Sequence, residues 1–169
     1  MTTPDPASPA QPTSRAKPLA EVPSLAARTI ELLHSPQALF ALTADEARTV
    51  VGYMRGVAFA KGATLLREGD GRDADEMLLL LDGEVAVDAG TASAGGAVAI
   101  ASLGPGSVLG EVALLDGLPR SAQCTALSTV RAAGLSRAAL QAMLDQQPRV
   151  AAKLMIALSQ RITERLRGM

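Results

Sequence analysis

Hydrophobic and polar positions divide the chain into four stretches. Residues 1–23 show no apolar period: Pro4, Pro6, Pro9, Pro12, Pro18 and Pro23 are separated by Ser, Thr and Ala. Such a segment has no face to bury and is expected to be a disordered tail. Residues 24–56 carry helical spacing. Leu25, Ile30, Leu32 and Leu33 predict a short amphipathic helix. Thr43-Ala44-Asp45-Glu46 opens a second, with Thr43 as N-cap and Glu46 in the capping-box position. Val50, Val51, Tyr53 and Met54 give it an apolar side.

From 57 to 135 the period shortens and glycines punctuate it. Strands are predicted near Val57–Phe59, Thr64–Arg67, Met77–Leu81, Gly83–Asp88, Ala97–Leu103, Ala122–Ala126 and Val130–Gly134. Asp82-Gly83 falls between two of them, where a tight turn needs positive φ. The small residues Ala89 to Gly96 suit a variable hairpin tip, and charges from Arg67 to Glu76 read as a solvated loop. Several short, regularly spaced strands predict an antiparallel jelly-roll β-barrel. Residues 136–169 return to helix. Ser136 is a plausible N-cap, and Pro148 suits the first turn of the last helix. Val150, Leu154, Leu158, Ile162 and Leu166 form a stripe at four-residue spacing. Helices, barrel, helices is an α+β order.

Composition removes several classes of function. Lys and Arg total 16 against 17 Asp and Glu among 169 residues, a net charge of −1. A broad electrostatic grip on nucleic acid needs many phosphate contacts, so no nucleic-acid partner is expected. One cysteine, Cys124, permits no internal disulfide and suits a reducing, cytoplasmic setting. Cys124 itself reads as a small core residue, and His34 as an ordinary helix residue. No apolar run approaches a membrane span, and residues 1–23 lack the apolar core of a signal peptide. There is no general-base histidine beside a nucleophile and no metal cluster, so neither an enzyme nor a metal or cofactor is expected.

The chemistry is concentrated in Gly106 to Ala122. A glycine and small apolar residues stand beside one carboxylate, Glu111, and Arg120 follows nine residues later. Backbone N–H groups at the start of a short helix favour anions. Arg120 adds a planar fork of donors that fits two phosphate oxygens. Glu111 repels a phosphate but can accept from a sugar hydroxyl. Together these residues describe a pocket for a ribose phosphate of one negative charge.

Three segments in this order resemble the cyclic nucleotide-binding domain family of catabolite activator proteins and regulatory subunits of cyclic-AMP-dependent kinase. They are Lys61 to Asp70, Met77 to Val85, and the cassette Gly110 to Leu115 followed by Pro119-Arg120-Ser121-Ala122. The resemblance covers roughly Leu39 to Leu166. It implies that Arg120 pairs with the exocyclic phosphate and that Glu111 accepts from the ribose 2′-hydroxyl. Gly110, the amides of Val112 and Ala113, the hydroxyl of Ser121 and the amide of Ala122 complete the cradle. A threonine after the arginine accompanies cyclic GMP in the family. Ser121 stands there, so cyclic AMP is favoured as the ligand.

The last helix would be a lid over the base, and in the family it is often a dimer seam. Arg165 lies seven residues after Leu158, within about 20° of the apolar stripe. It is a candidate for base contact, or it complements the helix C-terminus as Arg161 and Arg167 would. The chain shows no helix-turn-helix after this helix. The expectation is a cyclic-nucleotide receptor module that signals through an unidentified protein partner, as a monomer or weak homodimer without membrane contact. The alternatives are a nucleotide-independent scaffold that keeps the fold, or an activator-type regulator lacking its DNA-binding domain.

Overall fold

The run Met77-Leu78-Leu79-Leu80-Leu81 has no polar side because its strand is covered on both faces. In the computed structural model, which describes residues 16–34, 42–67, 69, 75–88, 100–119 and 122–168, two antiparallel sheets stack. The first contains β1 (Lys17–Pro18), β2 (Arg55–Phe59), β4 (Glu76–Asp82), β7 (Val108–Leu109) and β9 (Val130–Ser136), in the order β1-β2-β9-β4-β7. The second contains β3 (Thr64–Leu66), β5 (Val85–Asp88), β6 (Ile100–Leu103) and β8 (Gln123–Ala126), in the order β3-β8-β5-β6. Leu78 and Leu80 point between the sheets, where they meet Phe59, Val85, Cys124 and Val130. Met77, Leu79 and Leu81 point the other way, into a core roofed by helices. A strand buried on both faces loses its alternation.

Five helices pack around the sheets among the described residues: α1 (Pro23–Leu33), α2 (Ala44–Val51), α3 (Glu111–Asp116), α4 (Arg137–Gln146) and α5 (Pro148–Arg167). This is the expected α+β arrangement of jelly-roll sheets with helices before and after them. The capping box of α2 is complete: the Glu46 amide donates to the Thr43 hydroxyl at 3.1 Å, and the Thr43 amide donates to Glu46 Oε1 at 3.3 Å. Ser136 caps α4 by accepting from the Ala139 amide at 3.1 Å. Gly83 adopts φ 91° in the turn between β4 and β5. His34 is structural: its Nδ1 donates to the Leu42 carbonyl at 2.7 Å.

Four expectations need correction. Of the expected tail, residues 17–23 are folded. Lys17–Pro18 adds a strand to β2, a 3-10 turn follows at Leu19–Glu21, and Pro23 begins α1. Leu19 is fully buried, with its amide on the Met54 carbonyl at 3.0 Å. A lone leucine among prolines has no period to betray it; Val50, Val51 and Met54 share its core. Residues 1–15 lie outside the described residues, as do 89–99, so the hairpin tip and the first part of the Ala97–Leu103 strand are not placed. β7 has only two residues and was not predicted. Glu76 is not a loop charge: it begins β4 and accepts from Arg55 at 2.8 Å. The α5 stripe divides, with Val150, Leu154 and Leu158 buried but Leu166 64% exposed, because the last turn stands away from the apolar core.

Candidate functional site

Helix α3 has six residues and joins β7 of one sheet to β8 of the other. That length is too short to persist on its own propensity, so its surroundings must hold it. Its N-cap is Gly110, at φ 77° and ψ 9°, with no side-chain cap. The C-cap Gly117 is also left-handed, at φ 71°, and its amide donates to the Ala113 carbonyl at 2.9 Å. The Leu114 amide donates to the Gly110 carbonyl at 3.2 Å. The amides of Glu111, Val112 and Ala113 precede that bond and have no acceptor within the helix.

Burial sorts the α3 side chains. Glu111 is only 2% exposed, the one carboxylate among the buried described residues. Ala113 and Leu114 are buried, and Leu114 joins the helix-roofed core. Val112 and Leu115 face solvent, and Leu118, just beyond, is 61% exposed. Four predicted site residues, Gly110, Glu111, Val112 and Ala113, are thereby brought together on one turn of backbone. Ala122 is half-buried immediately before β8. Arg120 and Ser121 lie outside the described residues. Arg165 stands on α5, and its side chain also lies outside them.

Two arginines near α3 take partners that the sequence does not indicate. Arg161 was grouped with the charges that complement the end of α5. Instead its guanidinium donates to the Gly106 carbonyl, on the turn that leads into β7. This brings the second half of α5 to the entrance of the cassette. Arg137, the first residue of α4, donates through Nη2 to the carbonyls of Ala113 at 3.0 Å and Leu114 at 3.1 Å. Sequence separations of 24 and 23 residues left no local signal for these contacts.

The body of α5 is tied to α2 by Lys153, whose Nζ lies 2.6 Å from Glu46 Oε1. That hydrogen bond, with help from the Thr43 hydroxyl and amide and against the cost of desolvation, holds the Glu46 carboxyl below its ordinary range. A cavity of about 930 Å³ lies on the helix-covered side of the first sheet, lined by Leu33, Leu42, Met77, Leu79, Leu158 and Arg161 among others. None of Gly110, Glu111, Val112, Ala113 or Ala122 lines it. Among the described residues, no group of three or more His, Cys, Asp or Glu is placed to hold a metal ion. No described helix is long and apolar enough to cross a membrane.

A short helix with no side-chain cap at its start, a buried glutamate at its first position and a long helix reaching its entrance are features of a nucleotide cassette on a jelly roll. The family model of the cyclic nucleotide-binding domain matches residues 57–147. The chain belongs to that family. A CRP-like cAMP-activated global transcriptional regulator of Mycobacterium tuberculosis is 27% identical over 127 residues, covering 75% of this chain and 52% of that protein. The chain thus spans about half the length of this curated relative. A cyclic nucleotide-binding domain from Methylobacillus flagellatus superposes with a TM-score of 0.77 at 33% identity, covering 86% of this chain and 80% of that one. The catabolite activator protein of Thermus thermophilus gives a TM-score of 0.62 at 27% identity, covering 79% and 59%. These relatives are regulators and binding domains.

Proposed function

We propose that this chain is a cyclic-nucleotide receptor module that prefers cyclic AMP and signals by movement of α5. The observation that carries the reading is Glu111, a carboxylate buried at the first turn of α3 beside amides that precede the first helical bond. A buried carboxylate is costly unless it is paired or hydrogen-bonded, so its place at the head of α3 is a specific one. Accepting from a ribose 2′-hydroxyl is a task that fits its position. The exocyclic phosphate would lie over the amides of Val112 and Ala113, with Arg120 as its bidentate partner and Ser121 and Ala122 closing the cradle. Ser121 rather than threonine favours cyclic AMP, and the Mycobacterium tuberculosis relative is named as cAMP-activated. Helix α5 would close over the base, with Arg165 the candidate contact, and so shift a two-state equilibrium. A protein partner would read that movement in the cytoplasm, and the module itself would act without nucleic acid, metal or catalysis.

Thermal unfolding with and without each nucleotide tests this. Ligand at 100 times its Kd adds about 2.7 kcal/mol, a rise of roughly 5–10 °C for a chain of this length. The rise is expected with cyclic AMP, smaller with cyclic GMP, and lost in Arg120→Ala. No rise with either nucleotide would overturn the receptor reading in favour of a scaffold.

A further inference from the structure

We propose that Arg137 is a positioning residue that couples α3 to the α4–α5 pair, so that occupancy of the cassette is felt along α5. The inference rests on the receptor reading for its ligand, but its geometry stands apart from it. The last carbonyls of any helix lack intrahelical donors and carry partial negative charge. In α3 those carbonyls belong to residues next to the expected phosphate donors, Val112 and Ala113. The Arg137 guanidinium covers the Leu114 carbonyl and adds a second donor to that of Ala113, which the Gly117 amide already reaches. Gly117 leaves room for it: a Cβ there would lie 3.3 Å from both Nη1 and Nη2.

The other end of Arg137 is equally fixed. Its backbone amide donates to the Asp75 carbonyl at 2.6 Å, just after the Ser136 cap and at the head of α4. Leu140 and Met143 of α4 share one core with Val150, Leu154 and Leu158 of α5. Leu114 is in that same core. The same α3 residue is therefore held twice, its side chain by the α4–α5 core and its carbonyl by the residue that starts α4. An anion that orders the first turn of α3 tightens the grip of its last turn on Arg137. By linkage, a well-docked α4–α5 pair favours the anion to the same degree.

The test uses the full chain as wild type, Arg137→Met and Arg137→Lys. Methionine keeps much of the apolar stem and removes the fork; lysine keeps the charge. Hydrogen–deuterium exchange of α3 and α5 amides is followed without nucleotide and with saturating cyclic AMP, and affinity is measured by titration calorimetry. Without nucleotide, Arg137→Met is expected to raise exchange in α3 and also at Leu154 to Leu158 of α5. With it, affinity is expected to fall about tenfold, within the usual range of coupling. The protection that nucleotide confers on α5 is expected to shrink, and Arg137→Lys to recover part of both. Faster exchange confined to α3, or wild-type affinity with an undiminished gain of α5 protection, would overturn the coupling. A wild type that binds no nucleotide would sink the receptor reading alone, because the nucleotide-free exchange still decides Arg137.

Discussion

Helices α2 and α3 are built in opposite ways. Helix α2 writes its own start: Thr43 and Glu46, three residues apart, satisfy each other's backbone, and Asp45 joins them in the first turn. Helix α3 has no side-chain cap at its start and a left-handed glycine at each end. Its Ala113 and Leu114 carbonyls accept from Arg137, more than twenty residues along the chain. A helix with only a structural role closes its own donors. Helix α3 has no such cap, and a neighbour holds its far end. The difference explains why α3 can be short and still placed: its order comes from Leu114 in the core and from the guanidinium.

Substitutions at the two helices should therefore separate binding from stability. After Arg120→Ala, the largest effect is expected from Glu111→Gln. Losing a charge-assisted acceptor for the sugar should weaken cyclic AMP by about 2 kcal/mol, roughly thirtyfold, read by titration calorimetry. An unchanged affinity would remove Glu111 from the site. Gly117→Ala comes next. A side chain at φ 71°, pressed against the Arg137 guanidinium, should cost about 1.5 kcal/mol of stability, and should lower affinity too if α3 is held from that end.

Thr43→Ala breaks the other helix. Loss of the cap should cost about 1 kcal/mol, seen in urea unfolding, while nucleotide affinity stays at the wild-type value. A change in affinity as large as that from Gly117→Ala would erase the contrast between the helices. The smallest effect concerns pH. The Lys153 hydrogen bond holds the folded Glu46 carboxyl below its ordinary value of 4.5. Both states are ionised above that value. As pH falls below it the unfolded chain takes up the proton first, so the contribution of Glu46 fades as pH drops through the folded value. Glu46→Gln should flatten that part of the acid stability profile, and an unchanged profile would show that Lys153 does not anchor α5 through this pair.

Local patterns were legible where a residue and its partner lie close in sequence. The α2 capping box, the Ser136 cap, Pro148 at the start of α5 and the Asp82-Gly83 turn each depend on neighbours a few residues away. The long apolar run of β4 was legible as a strand, although not the reason for its missing alternation. The short helix that begins at Glu111 was legible because Gly110 to Ala113 are contiguous. The ordered Lys17 to Val22 was not, since β1 pairs with a strand that begins at Arg55 and Leu19 is buried in a core shared with Val50, Val51 and Met54. Nor was the role of Glu76, whose partner Arg55 comes from another strand of the sheet.

The sequence by itself determined the order of the longer helices and strands, the caps, the turn glycines and the cassette motif, because each is encoded by short-range periodicity or by the backbone freedom of single residues. Tertiary structure alone decided which carboxylate is buried, which half of the α5 stripe is core, and which arginines serve backbone carbonyls. Those outcomes depend on groups brought together across tens of residues, by the packing of two sheets and the helices that cover them.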